Sequence, residues 1–302
     1  GGMAEVFLAR SFGVEGFEKN LVIKRILPGL ARSPRFVNMF IKEAKITAGL
    51  DHPNIVQTYE LGRVGEDHYI AMEYMQGKDL TRVNKALRAE HFRMPMGLAV
   101  YTVAKMLRGL GFAHSLMDAR GRPLNLVHRD VSPHNVMMNF QGEVKIFDFG
   151  IARLLGETMG RENSAVPGGG KFAYMSPEQA TGRPMDPRSD IYSAGIVLYE
   201  LLVGRRLFKH EDPSEKLRMV RESEIPDPRE QHPEIPEALW NILRRMLSKE
   251  PEDRPARAAL AEEELWGFLF SHGLRAGVQE MRSFLQDLFP EQGVSRPTGV
   301  DL

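Results

Sequence analysis

Residues 128 to 150 constrain this chain more than any other stretch of its sequence. The stretch begins with His128-Arg129-Asp130, continues to Asn135 and ends with Asp148-Phe149-Gly150. Carboxylate and amide oxygens are ligands that Mg²⁺ prefers, and a carboxylate can also orient a hydroxyl and accept its proton. A lone Asp-Phe-Gly is usually a plain turn, so the information lies in the order and spacing of all three parts.

This order and spacing resemble the catalytic loop and metal-binding turn of protein kinases. The resemblance implies that Asp130 orients the attacking hydroxyl and accepts its proton. It also implies that Asn135 and Asp148 bind Mg²⁺ (or Mn²⁺), which bridges the phosphates of ATP. The implied fold is α+β and two-lobed, as in protein kinases. It has a small β-rich lobe with one helix, a large and mostly helical lobe, and ATP between them.

Lys24 and Glu43 form a second pair that agrees with this interpretation. Lys24 ends the β-rich run 21–24, and Glu43 lies on the inward, apolar face of a helix that we expect to begin at Ser33-Pro34, with Ser33 as its cap. A carboxylate on an apolar face is costly unless a cation pairs with it. We therefore predict a Lys24–Glu43 ion pair. The resemblance implies that Lys24 contacts the α- and β-phosphates.

Three later motifs resemble parts of the protein kinase large lobe. They are Ser176-Pro177-Glu178, Asp190-Ile191-Tyr192-Ser193-Ala194-Gly195 and Pro251-Glu252-Asp253-Arg254-Pro255. The resemblance implies an ion pair between Glu178 and Arg254 that has no catalytic role. Residues 191–203 are apolar on almost every side, which predicts a helix buried in the core.

The resemblance also implies a nucleotide site, position by position. It implies that Val6, Val22 and Met137 enclose the adenine and that Met72 is the gatekeeper. It also implies that the backbone of Glu73 to Met75 is the hinge and that Asp79 contacts the ribose.

The glycine-rich loop departs from the family pattern. When the pattern is aligned on Val6, Gly1 is its second glycine, Gly2 follows, and Ala4 stands in place of the third glycine. The first glycine and the strand before it are missing from the sequence. We therefore expect Gly1 and Gly2 to contact the nucleotide, with weaker ATP binding than a complete loop would give.

Ser132 and Lys171 mark a second departure. Serine/threonine kinases usually carry a lysine at the Ser132 position, where it neutralises charge on the transferred phosphate, and a threonine at the Lys171 position. In the family, these two positions lie together beside the catalytic aspartate. Our hypothesis is that Lys171 supplies the charge and Ser132 the hydroxyl. Some bacterial kinases are similar here, which indicates a bacterial source.

Thr158 and Ser164 are the hydroxyl-bearing residues between Gly150 and Lys171, and both are candidate phosphosites. Arg129 precedes the catalytic aspartate, and a phosphorylated loop can neutralise such an arginine. The alternative interpretation is that both are plain loop hydroxyls.

The composition narrows the range of partners. Lys+Arg 40 and Asp+Glu 40 give a formal charge of +0, which argues against nucleic-acid or membrane-surface binding. There are no cysteines, so disulfides and thiol chemistry are excluded, and a cytoplasmic location is the simplest interpretation. No apolar run approaches the roughly 20 residues of a membrane-spanning helix. The resemblance implies protein substrates with Ser or Thr hydroxyls, and self-association for autophosphorylation in trans.

We predict three segments along the chain. They are a protein kinase domain over 1–256, with a small lobe over 1–75 and a large lobe over 76–256, a C-terminal helical extension over 257–290, and a flexible tail over 291–302. The predicted strands cover 6–9, 21–24 and 68–72. The predicted helices that carry the large lobe cover 100–111, 191–203, 239–247, 256–269 and 275–288.

The predicted function is that of an ATP-dependent protein serine/threonine kinase. The main alternative is a pseudokinase scaffold that binds partners without catalysis. Ala4 and Ser132 favour this alternative. Four residues argue against it: Lys24, Asp130, Asn135 and Asp148. A small-molecule kinase of related fold is a further alternative, but such enzymes lack the three large-lobe motifs.

Overall fold

The structure of the chain, a computed structural model, describes residues 4–118, 120–149 and 171–291. Three predictions concern residues outside these ranges. They are the nucleotide contacts of Gly1 and Gly2, the phosphosites Thr158 and Ser164, and the flexibility of the tail beyond residue 291.

An antiparallel four-stranded sheet forms the small lobe. Its strands are β1 (Ala4–Phe12), β2 (Glu18–Ile26), β3 (Thr58–Val64) and β4 (Asp67–Glu73), in the spatial order β1-β2-β4-β3. The three predicted strands are confirmed. Val6 lies opposite Lys24, and Val22 lies opposite Met72. Because side chains two residues apart share a face of a strand, these four side chains lie on one face of the sheet.

Helix α2 (Pro34–Thr47) packs on this sheet and follows a short helical turn, α1 (Pro28–Ala31). Phe40 and Ala44 on α2 are buried with Ile26 and Ile70 of the sheet. The predicted start at Ser33-Pro34 is confirmed, with Ser33 at the N-cap position, but the Ser33 side chain makes no capping hydrogen bond with the described residues. The start of the helix depends instead on Pro34, whose fixed φ suits the first helical position.

A three-stranded sheet opens the large lobe and positions the two central motifs. Its strands are β5 (Gly77–Asp79), β6 (Val136–Asn139) and β7 (Val144–Ile146), in that spatial order. Strand β6 begins directly after Asn135, and β7 ends shortly before Asp148. The pairing of β6 with β7 therefore places the Asp130 loop and the Asp148 turn side by side.

Helices make up most of the large lobe. They are α3 (Leu80–Ala89), α4 (Met96–His114), α5 (Pro177–Thr181), α6 (Arg188–Val203), α7 (Pro213–Glu222), α8 (Glu237–Met246), α9 (Ala258–Ser271) and α10 (Val278–Leu288). Every residue of α6 from Ser189 to Val203 is buried, which confirms the predicted core helix. Helix α4 packs against α6 and α9, and the main hydrophobic core forms around these helices. The predicted α+β, two-lobed fold is confirmed.

The last helix begins later than predicted. The sequence pattern placed its start at residue 275, whereas α10 begins at Val278. Gly277 has an extended backbone, with φ −167° and ψ −170°, which prevents helical hydrogen bonding through that residue. Helix α10 is nevertheless anchored in the large lobe, because Met281 and Leu285 are fully buried.

Candidate active site

A cavity of about 630 Å³ lies between the small-lobe sheet and the three-stranded sheet. Both sheets and the connection between them contribute to its described lining. Eight of the predicted site residues line it: Val6, Val22, Lys24, Met72, Glu73, Met75, Met137 and Asp148. An apolar slot with a few polar groups is the usual form of a small-molecule site.

Asp79 has a different position from these residues. It follows Lys78 in strand β5, but Asp79 is not part of the described lining of the cavity. Its carboxylate accepts the backbone N–H of Arg82 at 3.0 Å and pairs with Nε of Arg82 at 3.2 Å. Asp79 therefore caps helix α3, and its ribose contact stays a prediction.

Lys24 lies between two carboxylates in the cavity. Its Nζ donates to Glu43 Oε1 at 2.7 Å and to Asp148 Oδ1 at 2.9 Å. Strand β2 supplies the lysine, helix α2 supplies Glu43, and the turn after β7 supplies Asp148. The predicted Lys24–Glu43 ion pair is present, and each of these two side chains is only 13% exposed.

Burial and charge have opposite effects on the pKa values of these three groups. Burial alone would lower the pKa of Lys24, but the carboxylates of Asp148 and Glu43 outweigh burial and raise it. Burial would raise the pKa of Asp148, but Lys24 holds that pKa below its ordinary value. Burial does raise the pKa of Glu43, against the attraction of Lys24. Asp148 is therefore the carboxylate held more firmly in its ionised form.

Asn135 fastens the loop that carries Asp130. Its Nδ2 donates to the backbone oxygen of Asp130 at 2.8 Å and to Asp130 Oδ2 at 3.0 Å. The backbone oxygen of Asn135 accepts the N–H of Phe147 at 3.1 Å. The loop is therefore tied to the residue that precedes Asp148, and the amide oxygen of Asn135 is the atom suited to a metal ion.

Asn135 and Asp148 fit a Mg²⁺ ion by the chemistry of their donor atoms. Mg²⁺ is usually bound by one or two carboxylates together with substrate phosphates and waters, rather than by an all-protein cage. Within residues 4–118, 120–149 and 171–291, no three His, Asp or Glu side chains cluster closely enough to hold a metal ion. The Asp148 carboxylate and the Asn135 amide are therefore a ligand set suited to a metal ion that binds together with a nucleotide.

The turn at Asp148 has an unfavourable backbone that its surroundings hold in place. Asp148 has a φ of 56°, in the left-handed region that costs a non-glycine residue about 1–3 kcal/mol. His128 Nε2 lies 3.0 Å from the backbone oxygen of Phe147, and its ring packs 4.5 Å from the Phe149 ring. Phe149 is thereby buried in the core while Asp148 faces the cavity.

Asp190 positions the loop that leads to Asp130, a role that its motif did not predict. Its Oδ2 accepts the backbone N–H of His128 at 2.7 Å, and its Oδ1 accepts that of Arg129 at 2.9 Å. His114 Nε2 lies 2.8 Å from the same Oδ2. Asp190 is 1% exposed. Burial would raise its pKa, but the hydrogen bond and charge of His114 keep the pKa below its ordinary value.

Ser132 and Lys171 lie in different structural contexts. Ser132 is buried in the loop between Asp130 and Asn135, and its backbone oxygen accepts the N–H of Asn135 at 2.9 Å. Lys171 opens the short helical turn Lys171–Tyr174. The structure describes the backbone of Lys171 but not its side chain, so the exchange of roles stays a prediction.

Glu178 and Arg254 form the predicted ion pair in the large lobe. Both terminal nitrogens of Arg254 donate to the carboxylate of Glu178, each at 2.8 Å. Ser189 adds a hydrogen bond to the same carboxylate at 2.5 Å. The pair is almost completely buried and joins helix α5 to the loop before α9.

The fold and the site together define a class of protein, the two-lobed kinases. The cavity lies between the lobes and is lined by Lys24 and Asp148. Asn135 joins the Asp130 loop to Phe147, the residue before Asp148. The family model for the protein kinase domain matches residues 1–266, and the chain belongs to this family.

Curated relatives support the same assignment. The tyrosine-protein kinase MasK of Myxococcus xanthus is 42% identical over 293 residues, which cover 97% of this chain and 45% of the relative. The serine/threonine-protein kinase PknB of Mycobacterium leprae is 37% identical over 271 residues, covering 88% of this chain and 41% of the relative. PrkC of Bacillus subtilis, a serine/threonine-protein kinase, is 32% identical over 265 residues, with 88% and 38% covered. The chain therefore spans less than half the length of these relatives.

Solved structures show the same fold. The crystal structure of the PknI kinase domain of Mycobacterium tuberculosis has a TM-score of 0.61 and 25% sequence identity to this chain. The match covers 88% of this chain and 91% of the PknI chain. Among the residues that the structure describes, no helix has both the length and the apolar character needed to cross a membrane.

Proposed function

We propose that this chain is a protein serine/threonine kinase that transfers the γ-phosphoryl group of ATP to protein hydroxyls. One observation carries the proposal. Lys24 is held by Glu43 and Asp148 inside an interlobe cavity, while Asn135 connects Asp130 to the turn that bears Asp148. Phosphoryl transfer depends on positioning and charge stabilisation, and this arrangement supplies both.

The site residues divide the work of phosphoryl transfer. Lys24 binds the α- and β-phosphates and is itself positioned by Glu43. Asn135 and Asp148 hold Mg²⁺ (or Mn²⁺), which neutralises charge on the transferred group when bound. Asp130 orients the substrate hydroxyl and accepts its proton. Ser132 and Lys171 share the remaining work beside Asp130, as the hydroxyl and the cation.

The adenine would lie between Val6 and Val22 above and Met137 below, with Met72 at the back of the cavity. The backbone of residues 73–75 would bind the base edge. We further propose the kinase domain over 1–256, the helical extension over 257–290, and self-association for phosphorylation in trans.

Tyrosine specificity is the second candidate function. It is favoured by one observation, the 42% identity to a protein named as a tyrosine-protein kinase. The names of PknB and PrkC favour Ser/Thr specificity instead. A pseudokinase scaffold is the third candidate, supported by Ala4 and Ser132.

The test is incorporation of labelled γ-phosphate into this protein and a generic basic protein, with and without Mg²⁺. We expect Mg²⁺-dependent labelling that the Asp130→Asn variant loses, and phosphoserine or phosphothreonine in the hydrolysed product. Phosphotyrosine alone would establish the second candidate. ATP binding without transfer would establish the scaffold.

A further inference from the structure

The C-terminal part of the chain returns to the nucleotide cavity after helix α10. Glu291 lines this cavity beside Lys78, Arg82 and Phe140. The family match ends at residue 266, so Glu291 lies beyond the residues that the protein kinase pattern covers. Its position therefore comes from the fold of this chain and not from the motifs.

Close packing fixes this segment on the large lobe. Gly142, in the turn between β6 and β7, has a φ of 93°, and a Cβ atom there would overlap the backbone carbonyl of Val278. The first turn of α10 thus rests directly on the turn between two strands of the cavity sheet. Met281 and Leu285 are fully buried below it. Helix α10, packed in this way, leads the chain toward the cavity.

Phe289 connects the end of α10 to the cavity wall. Its N–H donates to the backbone oxygen of Leu285 at 3.0 Å, and its ring meets the Phe140 ring edge-on at a centroid distance of 6.3 Å. Lys78 Nζ lies 5.7 Å from the centre of the Phe289 ring. Because Phe140 and Lys78 both line the cavity, Phe289 supports its wall from behind. Glu291 follows two positions later.

Other acidic groups near the cavity are engaged elsewhere. Glu73 bonds to Lys145 at 2.5 Å, Asp148 bonds to Lys24 at 2.9 Å, and Asp79 caps helix α3. Within the described lining, Glu291 is therefore the carboxylate placed to accept from a ligand. An ionised carboxylate offers two acceptor oxygens and no donor, which suits a vicinal diol with two O–H donors.

We propose that Glu291 recognises the ribose of ATP by accepting hydrogen bonds from its 2′- and 3′-hydroxyls. This inference rests on the proposed function, because it takes the bound nucleotide to place its base at residues 73–75 and its phosphates at Lys24. The ribose then lies near the stretch that follows the hinge, where Lys78 and Arg82 line the cavity with Glu291. The C-terminal segment is in this way a third wall of the nucleotide site, next to the two lobes.

The experiment compares the dissociation constants of ATP and 2′,3′-dideoxy-ATP for the full chain, in the presence of Mg²⁺. We expect Glu291→Gln to weaken ATP binding about tenfold, as the loss of a hydrogen bond to a charged group does. Binding of the dideoxy nucleotide, which lacks both donors, stays unchanged. The control is Asp287→Asn on the exposed side of α10, which removes the same charge and leaves both constants as in the wild type.

Four outcomes would overturn the proposal. Glu291→Gln that binds ATP as tightly as the wild type excludes the contact. An equal loss for both nucleotides indicates a general charge effect and not ribose recognition. If Asp79→Asn, and not Glu291→Gln, abolishes the preference for ATP, the ribose contact belongs to the helix cap. A wild-type chain that binds neither nucleotide overturns the proposed function as well, so the two failures are distinguishable.

Discussion

Arg254 binds Glu178 through two hydrogen bonds of 2.8 Å, and both side chains are almost completely buried. A buried pair of this kind contributes little net stability when intact, but removal of one partner leaves an uncompensated buried charge. We therefore expect Glu178→Gln to lower the free energy of unfolding at neutral pH by about 3–5 kcal/mol. Urea denaturation measures this value. Glu250→Gln is the control, because its ion pair with Arg183 is about half exposed and such pairs contribute about 0–1 kcal/mol.

The same pair predicts a pH dependence. Burial alone would raise the pKa of Glu178, but hydrogen bonds from Arg254 and Ser189 lower it to about 2, from an ordinary value of 4.5. Because the pKa in the folded state is depressed, the stabilisation is present above pH 4.5 and is lost as the pH falls toward 2. The wild-type free energy of unfolding should fall over this interval more steeply than that of Glu178→Gln. Parallel curves for the two proteins would contradict the assignment.

Glu43 is expected to act on catalysis through the position of Lys24. Glu43→Gln removes one of the two carboxylates that fix Nζ of Lys24, while the contact to Asp148 at 2.9 Å stays. We expect kcat/KM to fall by roughly tenfold to a hundredfold, since misplacement by about 1 Å has effects of that size. Steady-state kinetics with ATP varied measures the change. Glu66→Gln, at a 93% exposed position of the same lobe, should leave kcat/KM unchanged.

Asp190 is expected to control the mobility of the catalytic loop. Asp190→Ala leaves the backbone N–H groups of His128 and Arg129 without their acceptor, at about 1–3 kcal/mol for each buried donor. Hydrogen exchange at these two amides should become much faster while exchange in helix α10 stays slow. Unchanged protection at His128 and Arg129 would show that the loop is held by other contacts.

The proposed roles of Ser132 and Lys171 can be tested by exchanging the two residue types. If Lys171 supplies the cation beside Asp130, Lys171→Ala should lose most of the turnover. The double variant Ser132→Lys, Lys171→Thr restores the family arrangement, so its turnover should recover. Ser132→Lys alone should not improve turnover. Single-turnover kinetics separates this effect on transfer from an effect on binding. Full turnover in Lys171→Ala would reject the hypothesis.

Local patterns were sufficient for part of the fold and the site. Lys24 and Glu43 could be paired in advance because a strand end and one face of a helix each follow a simple periodicity. The all-round apolar composition of residues 191–203 likewise predicted a buried helix. In these cases the information lies within a few neighbouring residues, and tertiary structure only brings the pieces together.

Other features depend on contacts that no local pattern encodes. Asp190 reaches His128 across 62 positions, and the sequence shows only that an aspartate opens a helix. Asp79 could bind a ribose or cap a helix with the same carboxylate, and the structure shows it capping α3. Glu291 lines the cavity because it follows α10, which packs on the turn at Gly142. Such positions follow from the path of the chain and not from residue type.

Glu73 and Lys145 form a final testable pair, between the hinge and strand β7. Glu73 Oε1 accepts from Lys145 Nζ at 2.5 Å, and its Oε2 accepts the backbone N–H of Gln57 at 3.2 Å. Because Lys145 precedes Asp148 by three positions, this pair connects the proposed wall for the base to the turn that is proposed to bind the metal ion. The two side chains are only 20% and 13% exposed, so solvent screens them less than a surface pair.

A double-mutant cycle with Glu73→Gln and Lys145→Met should therefore give a coupling free energy of about 1–2 kcal/mol in urea unfolding. The matched control is the cycle on Arg63 and Glu66, which are 51% and 93% exposed and should couple by less than about 0.5 kcal/mol. The same cycle measured on ATP affinity shows whether the pair also aligns the two ends of the cavity. Coupling in unfolding without coupling in ATP affinity would limit Glu73 and Lys145 to holding the hinge on the large lobe.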